Sequence, residues 1–198
     1  MLGPFVLPAD GADRDEYLGR MTVAAERVRL SWDEYVALPD DGTRSEYVDG
    51  TVVVSPLANA HHQSIVAYLT VVFAGTFGVK RVLPGHNWLL RDGLVRIPDL
   101  SVLPGPERDT YVTTPPQIVV EVLSPSNHAD DEVSKTVEYA IYGAGTFWLI
   151  DPEAARLTVL HRQGDAWAEP THYTAEDGVV AIATPAGDVQ VNLPELLG

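Results

Sequence analysis

The sequence has 198 residues, of which 45% are hydrophobic, and this size and composition favour one domain with a substantial core. Its 28 acidic residues outnumber 13 basic ones, and the net charge of −15 argues against electrostatic binding of nucleic acid or anionic membranes by the whole surface. A small local basic site stays compatible with this charge. Cysteine is absent, so disulfides, thiol catalysis and cysteine-ligated zinc are excluded.

The N-terminal segment differs in composition from the rest of the chain. Residues 1–20 mix proline, glycine and acidic residues without periodicity, which predicts a loosely ordered leader ahead of a single domain over residues 21–198. No apolar run approaches the ~18 residues that cross a bilayer, and no basic segment precedes the first apolar residues. We therefore expect a soluble, cytoplasmic protein that has no membrane partner.

The first predicted elements are a short helix and a hairpin. A helix is expected over residues 31–38, because its first residue is a serine that can cap it, Glu34 completes a capping box and Pro39 ends it. Residues 46–48 and 51–54 are expected to pair, because the Asp-Gly between them supplies the positive φ that tight hairpin turns need.

A longer helix and two strands come next. Residues 60–77 carry apolar side chains at helical spacing, and Gly75 and Gly78 are expected to mark the end of this helix. Strands are predicted over residues 87–90 and 94–103, on either side of an Arg-Asp-Gly turn.

The remaining elements alternate between strand and helix. Residues 117–123 form a short, nearly all-apolar run, as expected of a central strand that is covered on both faces. A helix over residues 129–142 follows, and strands near 146–150, 157–161 and 166–169 form a closing meander. This order predicts an α/β fold in which helices pack on a sheet.

Glu121 is the one charged residue in its predicted strand, Ile-Val-Val-Glu-Val-Leu. A carboxylate buried there costs several kcal/mol unless it is paired, protonated or bound to a metal. A position at the exposed end of the strand, or a pairing with an arginine, would explain it without function. We favour a functional carboxylate.

Asp99 lies on the preceding predicted strand, and alternation places its side chain on the face that it shares with Ser101. If this strand neighbours that of Glu121 and the two faces coincide, two carboxylates converge. Paired hard oxygen ligands with water completing the shell suit Mg²⁺. Taken alone, Asp99 is equally compatible with a turn or a helix cap.

An ordered set of short motifs resembles one known family. Asp99 follows a proline and precedes Glu121 by 22 positions, which resembles the PD-(D/E)XK nuclease superfamily and, within it, the Uma-two family of restriction endonucleases. The similarity covers roughly residues 28–198. The matching pieces, in chain order, are Glu46-Tyr47-Val48-Asp49-Gly50, Ser55-Pro56, His62-Gln63, Pro98-Asp99, Pro115-Pro116, Glu121-Val122-Leu123-Ser124-Pro125-Ser126, Asp131, Lys135, Tyr139 and Trp148-Leu149-Ile150-Asp151-Pro152.

This resemblance implies a restriction-endonuclease-like fold, in which helices flank a mixed central sheet and an antiparallel meander closes the chain. It also implies DNA as substrate and Mg²⁺ as cofactor, with Mn²⁺ as a substitute. The implied metal ligands are Asp99, Glu121 and the carbonyl of Val122. The implied catalytic set is Glu46, Asp99, Glu121 and Lys135, and the supporting candidates are His62, Tyr139 and Ser124.

One position departs from the superfamily motif, because Leu123 stands where a lysine is usual. The resemblance implies that Lys135, on the next helix, has taken over its role. On a helical wheel Lys135 lies with Tyr139 and Tyr142, opposite an apolar stripe that includes Val133 and Val137. Either the lysine and tyrosine face points at the site, or Lys135 is a solvated surface base. The simplest alternative for Glu46 is likewise an exposed residue beside Arg44.

Three functions remain open from the sequence. The first is metal-dependent hydrolysis of phosphodiester bonds in DNA, with weak binding because the surface is acidic. The second is a catalytically inactive binding or assembly module with the same fold, which Leu123 and the negative charge favour. The third is a hydrolase that uses Asp99 and Glu121 as an acid–base pair, as glycosidases do. A homodimer is compatible with all three.

Overall fold

The computed structural model describes residues 26–38, 44–54, 58–124 and 129–198, and side chains are omitted for residues 26 and 129–131. The predicted leader, Pro39, Ser55-Pro56 and Pro125-Ser126 lie outside the described residues, as does the side chain of Asp131. No helix in these ranges combines the length and the apolar character that a membrane span requires.

The described residues form four α-helices and fifteen strands. The helices are α1 (Trp32–Val36), α2 (Ala60–Phe77), α3 (Ala129–Ile141) and α4 (Leu193–Leu197). The strands are β1 (Glu26–Arg29), β2 (Ser45–Val48), β3 (Thr51–Val54), β4 (Val82–Pro84), β5 (Asn87–Arg91), β6 (Leu94–Arg96), β7 (Leu100–Val102), β8 (Tyr111–Val112), β9 (Ile118–Val122), β10 (Thr146–Asp151), β11 (Arg156–Gln163), β12 (Ala166–Trp167), β13 (Thr171–Thr174), β14 (Val179–Ile182) and β15 (Val189–Asn192).

Local sequence signals account for the first elements. The side chain of Ser31 caps α1, and Glu34 Oε2 accepts the backbone N–H of Ser31 at 2.8 Å, so the predicted capping box is present. Asp49 and Gly50 both have positive φ, 46° and 84°, which is the conformation of a tight hairpin turn. The predicted hairpin is therefore confirmed as β2 and β3, which pair antiparallel.

The strands belong to two larger sheets and one additional pair. The first sheet has the order β1-β3-β2-β6-β5-β8. The second, the central sheet, has the order β12-β11-β10-β9-β7-β4, with β13 paired to β11. It is mixed, because β9 runs parallel to β10 and antiparallel to β7. The strands β14 and β15 form the antiparallel pair near the C-terminus, and the predicted mixed α/β fold is confirmed.

Helices cover both faces of the central sheet. On one face α2 packs its buried Leu69 and Phe73 against apolar side chains of β7, β9 and β10. On the other face α3 packs Tyr139 against Val119 of β9 and Phe147 of β10. All five residues of β9 are buried, as expected of a central strand that is covered on both sides.

The helix predicted over residues 60–77 is confirmed as α2, which contains Gly75 and stops at Gly78, where φ is 91°. One sequence prediction was wrong in detail. The predicted strand 94–103 is two strands, because β6 belongs to the first sheet and β7 to the central sheet. Pro98 lies between them and has no N–H for a ladder hydrogen bond. Residues 97–99 therefore carry the chain from one sheet to the other.

Candidate functional site

The predicted site lies at this crossing between the two sheets. Glu46 Oε1 accepts the backbone N–H of Ile97 at 3.1 Å, and Arg44 donates to the carbonyl oxygen of Ile97. These side chains thus form hydrogen bonds with the N–H and the carbonyl oxygen of Ile97, which a neighbouring strand would otherwise bind. In the central sheet Leu100 pairs with Val120, and extending that antiparallel register by one residue sets Asp99 across from Glu121. The two carboxylates are consequently close, and the charge of Asp99 contributes to raising the pKa of Glu121.

Asp99 is 6% exposed, and both of its carboxylate oxygens have partners. Oδ1 accepts from Arg44 Nη1 at 2.7 Å. Oδ2 accepts the N–H of Val122 at 2.8 Å and is hydrogen-bonded to Nε2 of His62 at 3.1 Å. Burial alone would raise the pKa of this carboxyl, but the bond to His62 and the charge of Arg44 outweigh it and hold the pKa at about 2. Asp99 is therefore ionised at neutral pH.

The pKa of Glu121 is shifted in the opposite direction to that of Asp99. Its Oε1 accepts from the hydroxyl of Tyr139 at 2.6 Å, and Lys135 Nζ lies 3.6 Å from the same oxygen. Burial raises the pKa of Glu121 to about 7, although the charge of Lys135 opposes this and that of Asp99 adds to it. Burial also raises the pKa of Tyr139 well above its usual value, so that the phenol stays a donor. Glu121 therefore takes up or releases a proton near neutral pH.

Glu46 is a buried carboxylate whose acceptor positions are taken by cations and one backbone N–H. Lys135 Nζ lies 2.9 Å from its Oε1, and Arg96 Nη1 donates to its Oε2 at 2.8 Å. Burial alone would raise the pKa of Glu46, but the charges of Lys135 and Arg96 lower it below its usual value. Glu46 is thus ionised, and it holds the ammonium of Lys135 beside Glu121.

Arg96 connects the first sheet to α3. Its side chain is 3% exposed, and besides Glu46 it contacts both oxygens of Glu138, at 2.7 and 3.1 Å. Burial opposes the charge of this guanidinium, but the bonds to Glu138 and Glu46 raise its pKa, so it stays charged. A two-pronged contact of this kind restricts the orientation of the helix as well as its position. Arg96 therefore helps to set where Lys135 points.

The orientation of α3 decides between the two alternatives for Lys135. Val133, Val137 and Ile141 are 65%, 52% and 51% exposed, so most of the apolar stripe faces solvent. Tyr139 is buried on the other side and stacks on Trp88 with ring centroids 5.3 Å apart. The lysine and tyrosine face therefore points at the carboxylates, and the charged network outweighs the apolar pattern.

A pocket of about 340 Å³ adjoins the carboxylates and shares His62 with them. It is lined by Asn59, His61, His62, Leu123, Ser124, Asp151, Pro152 and Glu153. His62 is buried, and its backbone N–H is capped by Asn59 at the start of α2, whereas His61 is exposed. Ser124 lies in the wall of this pocket.

The structure brings together most of the residues that the sequence singled out. Glu46, Asp99, Glu121 and Lys135 form one connected set, to which His62 and Tyr139 contribute hydrogen bonds. Val122 supplies its N–H to Asp99, and Ser124 is in the adjoining pocket.

Three charged members of the network were not predicted from the sequence, and they are Arg44, Arg96 and Glu138. Arg96 carried a usable signal, because a lone arginine in an apolar strand requires a buried partner. Arg44 carried none, since it is surrounded in the sequence by polar residues. Glu138 carried none either, since a glutamate on a helix is usually exposed.

The oxygen ligands present suit Mg²⁺ better than a metal that needs a full cage of side chains. Within the described ranges no three His, Asp or Glu side chains are grouped as a ready-made metal site. Asp99 and Glu121 nevertheless lie close enough for the charge of Asp99 to raise the pKa of Glu121. Mg²⁺ keeps several waters and is commonly bound through one or two carboxylates and a substrate phosphate. The donor set therefore fits this ion.

Comparison with known proteins gives a family match and structural matches. The family model Uma2, described as "Putative restriction endonuclease", matches residues 32–193. A crystal structure described as "a putative nuclease belonging to DUF820 from Anabaena variabilis ATCC 29413" has a TM-score of 0.70 and 20% sequence identity. That match covers 85% of this chain and 97% of the other, and it supports the fold.

Two weaker results complete the comparison. A cryoEM structure of a DrdV–DNA complex matches with a TM-score of 0.30 and 13% identity, over 57% of this chain and 11% of the other, which is too distant to support an inference. No curated protein matches the sequence. The family match spans most of the domain, from α1 to the start of α4, and includes every residue of the charged network. The chain therefore belongs to the Uma2 family of restriction-endonuclease-like proteins.

Proposed function

We propose that this protein is a Mg²⁺-dependent endonuclease that hydrolyses phosphodiester bonds in DNA. The observation that carries the proposal is the position of Lys135, whose Nζ lies 2.9 Å from Glu46 and 3.6 Å from Glu121. Asp99, which immediately precedes β7, is close enough for its charge to act on Glu121. One cation and two carboxylates at such a point are suited to binding a divalent ion and a phosphate together.

The metal would be held by Asp99, Glu121 and the carbonyl oxygen of Val122. When bound, Mg²⁺ lowers the pKa of a coordinated water and offsets charge that develops on the phosphate. Asp99, which is ionised at neutral pH, would be the anchoring ligand. Glu121 would be the second ligand in its ionised form, which the nearby charge of Lys135 favours.

Lys135 is the proposed catalytic cation. Its ammonium orients the attacking water and stabilises the negative charge of the pentavalent transition state. Glu46 and Arg96 act through Lys135, because they fix the lysine and its helix without facing the phosphate themselves. Tyr139 holds one oxygen of Glu121 and leaves the other for the metal. Lys135 thus does from α3 what a lysine at position 123 would do from β9.

Cleavage of supercoiled plasmid DNA tests this proposal. The wild-type protein is expected to nick or linearise the plasmid with Mg²⁺ or Mn²⁺, and not with EDTA. Asp99→Asn, Glu121→Gln and Lys135→Ala are each expected to lower the rate by about 100-fold or more. Lys80→Ala is the matched control, since Lys80 is the other lysine of the chain and is exposed. Equal activity of Lys135→Ala and Lys80→Ala would contradict the assigned role.

Binding to DNA is expected to be weak. The net charge of −15 opposes association with a polyanion outside the site, so affinity depends on the metal or on a partner that delivers the protein. Fluorescence anisotropy with a labelled duplex, with and without Ca²⁺ in place of Mg²⁺, measures this dependence. Light scattering on the same sample shows whether the protein is a homodimer.

A non-catalytic nuclease-fold module that binds or assembles with a partner is the second candidate. Leu123 at the usual lysine position and the acidic surface favour it. In the described residues, moreover, both carboxylates already pair with protein cations. This function predicts that calorimetry detects no Mg²⁺ or Mn²⁺ binding, and that Asp99→Asn alters stability without altering any cleavage.

A further inference from the structure

Arg44 is the charged residue of the network whose purpose the proposed chemistry leaves open. It immediately precedes β2, and its guanidinium contacts both Asp99 Oδ1, at 2.7 Å, and the carbonyl oxygen of Ile97. Oδ1 is the oxygen of Asp99 that is bonded neither to His62 nor to Val122. Arg44 thus occupies the Asp99 oxygen that His62 and Val122 leave open to a metal.

A divalent cation and a guanidinium compete for such an oxygen. Both are positively charged, and two positive charges a few ångströms apart repel each other in a partly buried environment. If Mg²⁺ binds Asp99 Oδ1, the Nη1 of Arg44 has to move away from it. The contact between Arg44 and Asp99 Oδ1 is therefore compatible only with the metal-free protein.

Arg44 is held more loosely than Arg96. Its side chain is 32% exposed, compared with 3% for Arg96, and Arg96 contacts the carboxylates of both Glu46 and Glu138. The Nε of Arg44 is buried without a hydrogen-bond partner among the described residues. A guanidinium with an unused donor and a solvent-facing edge can change partners at low cost.

The new partner for Arg44 is suggested by charge and shape. Asp99, Glu121 and Glu46 all raise the pKa of Arg44, although burial opposes them, so the guanidinium stays charged beside the carboxylates. Its planar fork matches two oxygens of a phosphodiester, which lysine cannot match in the same way. A phosphodiester that binds at the proposed metal would place its negative charge next to Arg44.

We propose that Arg44 binds Asp99 in place of the metal, and that on Mg²⁺ binding its guanidinium moves to the scissile phosphate. Arg44 is then the partner of Asp99 in the metal-free protein and a phosphate ligand in the complex with DNA. This inference rests on the proposed nuclease function. It adds a residue that contacts the substrate directly. It also predicts that removing the guanidinium strengthens the binding of Mg²⁺ and slows the cleavage of DNA.

Calorimetry with Mg²⁺ alone and plasmid cleavage, measured on the same variants, test the inference. Arg44→Gln is expected to bind Mg²⁺ about fivefold more tightly than the wild type, because Asp99 loses a competing partner. It is also expected to cleave DNA at least tenfold more slowly, with a raised KM. Arg44→Lys, which keeps the charge without the fork, is expected to bind Mg²⁺ like the wild type and to cleave slowly. Arg91→Gln is the matched control, because Arg91 pairs with Asp49 on the protein surface.

The outcomes separate this inference from the function on which it rests. If the wild type binds Mg²⁺ and cleaves DNA while Arg44→Gln binds the ion equally or more weakly, the inference alone is overturned. Unchanged kcat and KM in Arg44→Gln also overturn it, since no phosphate contact was lost. If neither the wild type nor any variant binds Mg²⁺ or cleaves DNA, the proposed function fails and the inference falls with it. Melting temperatures without metal show that each variant is folded.

Discussion

Replacing Glu121 with glutamine removes a charge that the metal-free fold holds at a cost. Burial raises the pKa of this carboxyl from 4.5 to about 7, so the folded protein keeps a proton that the unfolded chain has already released. The protonated carboxyl contributes its full stabilisation to the folded wild type below pH 4.5, and this contribution is lost as the pH rises through 7. Glutamine can accept the same bond from Tyr139, and it does not titrate.

The size of the effect follows from the pKa difference. Each pKa unit corresponds to 1.36 kcal/mol, so the change from 4.5 to about 7 is worth about 3 kcal/mol at most. We therefore expect Glu121→Gln to have a free energy of unfolding close to that of the wild type at pH 5. At pH 8 and above it should exceed the wild type by about 2 to 3 kcal/mol.

Urea denaturation in EDTA at pH 5, 6, 7 and 8 measures this difference. Glu176→Gln is the matched control, because Glu176 is exposed and should show no dependence of this kind. A saturating concentration of Mg²⁺ should stabilise the wild type at pH 8 and not Glu121→Gln, since only an ionised carboxylate binds the ion. A difference that stays constant from pH 5 to 8 would refute the reasoning that burial of Glu121 is its dominant electrostatic feature.

Other parts of the molecule give predictions that do not depend on the metal. Burial lowers the pKa of His86 from 6.5 to about 4, so the free energy of unfolding should fall by about 1 kcal/mol per pH unit between pH 6.5 and 4. Urea denaturation of His86→Phe should show a smaller fall over this range, and an equal fall would contradict this. Gly145→Ala places a Cβ 2.7 Å from both a backbone oxygen and a proline ring, and its free energy of unfolding should fall by about 2 kcal/mol or more. Gly75→Ala, in open space within α2, should raise the free energy of unfolding by up to about 1 kcal/mol. Thermal unfolding compares the two variants, and similar melting temperatures would count against this prediction. Tyr139→Phe removes the donor to Glu121 and should lower the free energy of unfolding at pH 8 by about 1 kcal/mol, which urea denaturation measures against the wild type; no loss would show that the bond is unimportant.

Most of the elements could be predicted because their signals are local. The capping box of α1, the Asp-Gly turn after β2 and the apolar run of β9 each depend on residues a few positions apart. The break between β6 and β7 had a local signal in Pro98, but the change of sheet could not be predicted in the same way. The change of sheet also depends on Glu46 and Arg44, which bind Ile97 from more than 50 positions away. Propensity and periodicity contain no information about such partners.

The site shows the same division between local and distant information. Glu121 was identifiable because a lone charge in a buried strand needs a partner, and Asp99 because alternation placed it on a definite face. The inward direction of Lys135 was not decided by the pattern of α3, whose apolar residues Val133 and Val137 are exposed. Buried ion pairs outweighed that apolar stripe, and their members come from separate elements.

The crossing at residues 97–99 has a consequence for how the protein acquires activity. The contacts that assemble the site, Arg44 with Asp99 and Arg96 with Glu46, join residues 55 and 50 positions apart. Contacts of such separation form late in folding, because they require long loops to close. A chain with one sheet folded and the other not holds only part of the charged set. Under the proposed function, a newly synthesised molecule therefore does not cleave DNA until its two sheets have packed together.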